Sequence, residues 1–341
     1  MSLLFLGFQT SAVLVERNAR RGFKDFTPSN VVNLSQASIS RAEITSHGLS
    51  KYGLDEGGLD IIVPRDASRD PCSPLRYHRG HPSFPAGSFL RGRGGILIAS
   101  PALSLLQLSL VLDECSWLKL AYRFTGTFSL DDFVEGGIIE RPPLTNTQEL
   151  EAYFFSASEM GMRGARRSRR LLRHVQDGSA SPRESELEIA LSRPRSKAGY
   201  GCVHATLNDR VPYGELARQL TGRSFAKIDL HYRKAHYGLE FSGHLPHQWR
   251  VPEDISRQNA LACMGEDTDF VTYRQLSSAQ ELTEVARKVT RKTRRTWRED
   301  LLRPLEERQA FLDELLRERE FETGGRNVKG VDRARHKSPE A

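Results

Sequence analysis

The chain has no run of about 18 apolar residues, the length that a membrane-crossing helix needs. Its longest apolar stretch, Ser100 to Leu112, is too short and carries Ser and Gln. Cysteine is scarce: Cys72, Cys115, Cys202 and Cys263 stand far apart with no CxxC spacing, which argues against a zinc ribbon, a redox motif and a disulfide framework. The stretch Met1 to Val15 lacks a basic leading region and is broken by Gln9 and Thr10, so it reads as a packed segment and not as a signal peptide. There is no internal repeat. These absences point to a chain of the reducing cytoplasm with no membrane partner.

What is present is globular. Hydrophobic residues make up 38% of 341 residues, and 27 glycines bring the apolar share close to an ordinary domain, excluding wholesale disorder. The length suits about two domains. Lys and Arg outnumber Asp and Glu by 50 to 43, a net +7, which favours a polyanionic partner only weakly at this length.

Residues 1 to about 97 read as short strands, such as Ile61-Ile62-Val63 and Gly95-Ile96-Leu97-Ile98, joined by turn clusters. Ser100-Pro101 opens a helix expected to run to about Leu120, and Asp131 to Thr145 reads as a connector. Further helices are expected from Thr147, Met162 and Ser181, and the charged tail after Gly324 is expected to lack order. The helix near Met162 carries Arg163, Arg166, Arg167, Arg169, Arg170 and Arg173, either a solvated face or a stripe meeting phosphates. The helix expected from Glu281 to Arg298 carries Lys288, Arg291 and Arg295 with Trp297 among them, which suits a nucleic-acid backbone equally with a solvated surface. Glu299 to Glu320 alternates in charge as a solvated helix would.

Two alternating runs, Phe225 to Tyr232 and His236 to Ser242, form a hairpin when Tyr232 meets Tyr237, Leu230 meets Leu239 and Ile228 meets Phe241. Ala226, Ile228, Leu230 and Tyr232 then share one face, and Lys227, Asp229 and His231 the other. That register sets Asp229 opposite Glu240, with Cβ atoms about 5 Å apart. Carboxylates so placed share a proton, recruit a cation or hold a metal ion, unless Lys227 and solvent neutralise them on an open face. Upstream, Ser181-Pro182-Arg183-Glu184 reads as a capping box.

The arrangement Asp229, then Glu240-Phe241-Ser242-Gly243 with His247 downstream, then Asp254, Arg257, Asn259, Leu261 and Gly265 before Phe270-Val271-Thr272-Tyr273, resembles the PD-(D/E)xK nuclease superfamily. It is most similar to the bacterial very-short-patch-repair (Vsr) endonuclease-like proteins, and covers roughly residues 160 to 300. The resemblance implies an α+β fold whose C-terminal restriction-endonuclease-like domain has a helix, a small mixed sheet and flanking helices. It implies Asp229 and Glu240 as Mg²⁺ ligands, Glu184 as third acid, and His244 or His247 for water activation. The family has an acid or Lys two residues after the strand Glu, where this chain has Ser242. Phe8 to Leu14, Ile62 to Arg65, Tyr77-His78 and Ile98 to Leu103 resemble, more loosely, the core of AbiEi-type abortive-infection antitoxins.

The expected domains are therefore 1–145 (N-terminal α+β), 146–300 (Vsr-like) and 301–341 (charged helix and tail). The expected function is DNA association, as a Mg²⁺-dependent endonuclease with a degenerate site. The alternatives are a non-catalytic DNA-binding regulator in a defence or toxin–antitoxin setting, and a protein-interaction module. Arg166, Arg170, Arg173, Lys288, Arg291 and Arg295 are the expected DNA contacts.

Overall fold

The computed structural model describes residues 2–38, 40–52, 54, 58–67, 75–130, 134, 137–242 and 251–317. Cys72, His244, His247 and the charged tail lie outside the described residues. The class is α+β, as expected. Among the described residues no helix is long and apolar enough to cross a membrane.

Six short strands build the first sheet: β1 (Leu4–Leu6), β2 (Thr27–Ser29), β3 (Asp60–Val63), β4 (Arg76–Arg79), β5 (Phe89–Arg91) and β6 (Ile96–Ala99). Their order is β2-β5-β6-β1-β3-β4, and β3 and β6 are buried along their whole length. Two helices that the strand-and-loop expectation left out interrupt this run: α1 (Phe8–Arg20) and α2 (Arg41–Ser46). In α1, Ser11, Ala12, Val15 and Ala19 fall on one buried helical face, with Leu14 buried beside them.

The helix expected from Pro101 to Leu120 is two helices, α3 (Pro101–Leu108) and α4 (Glu114–Thr125). Asp113 forces the break, because its side chain accepts from the Ser116 N–H (2.8 Å) and starts α4 afresh as an N-cap. Trp117, fully buried in α4, donates its indole N–H to the Leu105 carbonyl of α3 (2.8 Å), which fixes the angle between them. The connector contains part of a small hairpin, β7 (Phe128–Leu130) with β8 (Ile138–Glu140). Helices α5 (Thr147–Glu159) and α6 (Ala165–Leu172) follow close to their expected starts.

The second sheet has four strands: β9 (Thr206–Pro212), β10 (Phe225–Tyr232), β11 (Tyr237–Ser242) and β12 (Asp267–Thr272). β9, β10 and β11 form an antiparallel meander, and β12 adds in parallel to β11. Helix α7 (Pro182–Ser192) precedes the meander, α8 (Glu215–Thr221) links β9 to β10, and α9 (Val251–Cys263) makes the crossover to β12. Three helices close the described chain: α10 (Tyr273–Ser277), α11 (Ala279–Lys292) and α12 (Leu305–Leu316).

α12 is not the solvated helix its charge pattern suggested. Phe311, Leu312, Leu315 and Leu316 are buried, and Lys119 donates to the Leu315 and Arg317 carbonyls at its end (2.9 and 2.8 Å). One hydrophobic cluster runs from Leu3 and, in the first sheet, Phe5, through α3, α4 and α7, to Leu312 and Leu315 of α12. Removing the indole at the α3–α4 joint, Trp117→Ala, is expected to cost about 3–5 kcal/mol. A shift in urea midpoint worth less than about 1 kcal/mol would contradict this account of the joint.

Candidate functional site

The hairpin forms in the expected register as far as Leu230↔Leu239, His231↔Gly238 and Tyr232↔Tyr237. Beyond Leu230 the ladder changes character, because the Phe241 N–H donates to the Asp229 side chain at Oδ2 (2.9 Å). On the other side, β10 pairs with β9 at Ile228↔Asp209 and Leu230↔Leu207, stepping over Asp229 and Asn208. Asn208 lies at φ 48°, a left-handed conformation rare for a non-glycine residue and rarer in mid-strand. Irregularities of this kind gather beside functional sites because they re-aim side chains.

This break corrects the expected faces. Ala226 and Ile228 pack with α8 and α9 residues such as Ala217, Ala260 and Leu261, while Leu230 and Tyr232 join the large cluster around α7. His231 is buried, not solvated. Its Nδ1 meets Asp209 (2.7 Å) and its Nε2 meets Glu266 (3.1 Å), tying β9 and β10 to the turn before β12. Arg233 reaches the same Asp209 with Nε and Nη2, and this interaction above all holds the Asp209 carboxyl below the ordinary carboxylate range.

Glu184 sits in the first turn of α7. The cap and the site coincide, because Ser181 Oγ accepts from the Glu184 N–H (3.3 Å) and donates to its Oε1 (2.9 Å). Oε2 accepts from the Ala180 N–H (2.9 Å) and from the Asn208 amide. The left-handed Asn208 thus links β9 to α7 at the height of Asp229. Glu240, on β11, is buried. Arg257 of α9 reaches its Oε1 with Nη2, and the same nitrogen donates to the Lys227 carbonyl.

Three acids from three elements therefore stand near one another, and Arg257 pairs with one of them, Glu240. Loss of water raises the Glu240 carboxyl to about 8, with Asp229 next in effect and Arg257 pulling the other way. Asp229 is raised as well, first by loss of water and then by Glu184, against the Phe241 N–H, Arg257 and Lys227. Among the described residues Asp229 Oδ1 and Glu240 Oε2 accept no hydrogen bond, whereas both Glu184 oxygens are used. Ser242 ends β11 half-buried, opposite Thr272.

The basic residues are partly spoken for. Arg170 meets Glu114 (3.5 Å), Lys288 meets Asp269 (2.5 Å), and Arg169 pairs with Glu151 (2.7 Å) while lying over the Phe155 ring. Arg166, Arg173, Arg291 and Arg295 make no ion pair among the described residues. α11 stops at Lys292 and does not reach Arg298. Arg294 turns left-handed (φ 56°), and the Arg295 N–H closes the end on the Thr290 carbonyl (2.9 Å).

Asn208 and Arg257 are the site residues that sequence reasoning missed as such. Arg257 carried a signal only as part of a family-like pattern, and Asn208 carried none.

A carboxyl raised in the folded state binds a proton that the unfolded chain has already released. Stability should therefore fall as pH rises from the ordinary Glu value, about 4.3, through about 8. Urea midpoints in EDTA at pH 5.5 and 8.5 should show a larger loss for the wild-type chain than for Glu240→Gln. Parallel losses would refute this account of Glu240.

Likeness does not assign the site: no protein-family model, no curated protein and no solved structure matches the chain.

Proposed function

We propose that the chain is a DNA-associated protein built on a PD-(D/E)xK-type core of the Vsr-like kind, with a single hard-cation site at Asp229 and Glu240. The observation that carries this reading is the convergence of Glu184, Asp229 and Glu240 from α7, β10 and β11, with Arg257 paired to Glu240 alone. The element order supports it too: a helix, three antiparallel strands, a crossover helix and a parallel fourth strand.

The donor set suits Mg²⁺, since hard oxygens with uncompensated negative charge are what that ion takes. As the side chains stand, no group of three or more His, Cys, Asp or Glu among the described residues is arranged to hold a metal ion. Each acid rests instead on a protein donor. Asp229 Oδ1 and Glu240 Oε2 would hold the ion, and Glu184 would position Asn208 and the break in β9 beside it. Bound there, Mg²⁺ would supply Lewis-acid polarisation of a phosphodiester and a lowered pKa for a coordinated water.

Plasmid DNA with Mg²⁺ or Mn²⁺ is the test. The wild-type chain should nick it, and Asp229→Ala should lose at least roughly a hundredfold in rate, the scale of removing a group that acts in the transition state. Equal cleavage by both proteins, or none by either, removes the catalytic part.

Ser242 and the Arg257–Glu240 pair favour a second reading, non-catalytic DNA binding. A hydroxyl supplies neither the charge of a carboxylate nor that of an ammonium. Under both readings Arg166→Ala with Arg173→Ala should weaken duplex binding and flatten the log–log salt dependence by about one for each phosphate that is no longer neutralised. An unchanged slope would take α6 out of the DNA surface.

A further inference from the structure

Three buried acids in this protein are each met by an arginine fork. Arg76 reaches Asp60 with Nε (2.8 Å) and Nη2 (3.0 Å). Arg233 meets Asp209, and Arg123 meets Glu16, through the same two nitrogens. Two parallel hydrogen bonds add both strength and geometric definition to such a pair. Arg257 departs from this pattern. It touches Glu240 with Nη2 alone, and that nitrogen is shared with the Lys227 carbonyl. Nε and Nη1 make no hydrogen bond among the described residues. The side chain keeps 29% of its surface in contact with solvent, while Glu240 keeps 8%.

Next to this end-on pairing lie two carboxylate oxygens with no donor among the described residues, Asp229 Oδ1 and Glu240 Oε2. Arg257 pairs with Glu240 alone among the three acids, so a second cation has an electrostatic reason to enter. The Lys227 carbonyl gives Arg257 a hold that does not depend on Glu240. The guanidinium can therefore let go of the carboxylate without losing every partner.

We infer that Arg257 is an exchangeable internal cation: it occupies Glu240 when the site is empty, and a divalent metal ion displaces it. This inference rests on reading Asp229 and Glu240 as a cation site, and it adds how that site is kept closed. Arg257 limits the charge repulsion between the acids of the metal-free site and, for the same reason, weakens metal binding. The positive charge that leaves Glu240 becomes available beside the site to an anion, such as a phosphate of the DNA.

Calorimetric titration of Mn²⁺ alone into the full chain, without DNA, tests it. Arg257→Gln should bind Mn²⁺ on the order of tenfold more tightly than the wild-type chain, the scale of an ordinary coupling between two binding events. Arg257→Lys, which keeps the charge, should stay near wild type, and Asp229→Asn should lose binding. Far-UV circular dichroism and a thermal melt establish that each variant is folded, and Arg257→Lys carries the comparison if the Gln variant is not. In that case an affinity for the Lys variant far below wild type overturns the exchange. Binding that needs Asp229 but is unchanged or weaker in Arg257→Gln also overturns the exchange, and leaves the cation site standing. Absence of Mn²⁺ binding in both the wild-type chain and Arg257→Gln removes the cation site and this inference together.

Discussion

A carboxylate taken out of water needs a partner, and most of this architecture answers that need locally. Asp60 is held at about 2 by His78 and Arg76 against its burial, with Thr10 donating as well. Asp209 has Arg233 and His231, Glu16 has Arg123, and the fully buried Glu188 of α7 has His204 (2.7 Å). At Asp229 and Glu240, beside Glu184, the balance is left incomplete. The distortion of β9 at Asn208, the end-on arginine and the raised carboxyls all gather at that one deficit.

Helix α7 joins the deficit to the rest of the molecule. Every residue from Glu184 to Ser192 is buried, so the helix has no solvated face and cannot shift without disturbing what surrounds it. Its first turn presents Glu184 to Asn208. One turn later Glu188 accepts from His204 and the Ala205 N–H (3.4 Å), which fixes the chain entering β9. At its far end Arg193 meets Glu114 of α4 (3.1 Å) and lies over the Phe311 ring of α12. The rigidity of the acid cluster is thereby borrowed from helices distant in sequence.

Much of the second sheet was legible in the sequence. Alternation located β10 and β11, and their apolar matches set the register up to Leu230↔Leu239. Ser-Pro-x-Glu marked the start of α7. What escaped was decided by partners far along the chain. Asn tolerates the left-handed conformation better than most residues, but nothing local singles out Asn208 in mid-strand, and its partner Glu184 lies 24 residues away. The apolar run of Pro101 to Leu120 hid the break at Asp113, since a cap inside a hydrophobic stretch looks like one more polar interruption. The charges of α12 concealed a buried face, and those of α11 gave no hint that Asp267 and Asp269 of β12 answer Lys292 and Lys288. The family-like pattern included Arg257 but was silent on its pairing with Glu240.

The continuity of the hydrophobic cluster has a mechanical consequence. Phe5 of the first sheet, Trp117 of α4, Leu187 and Leu191 of α7 and Leu315 of α12 belong to one packed body. Interiors packed at crystal-like density have low compressibility and transmit strain. A load applied to the first sheet therefore reaches the helix that carries Glu184 with little slack in between. The first sheet acts as a foundation for the acid cluster, and a molecule seated on that sheet would press on the cluster through the core.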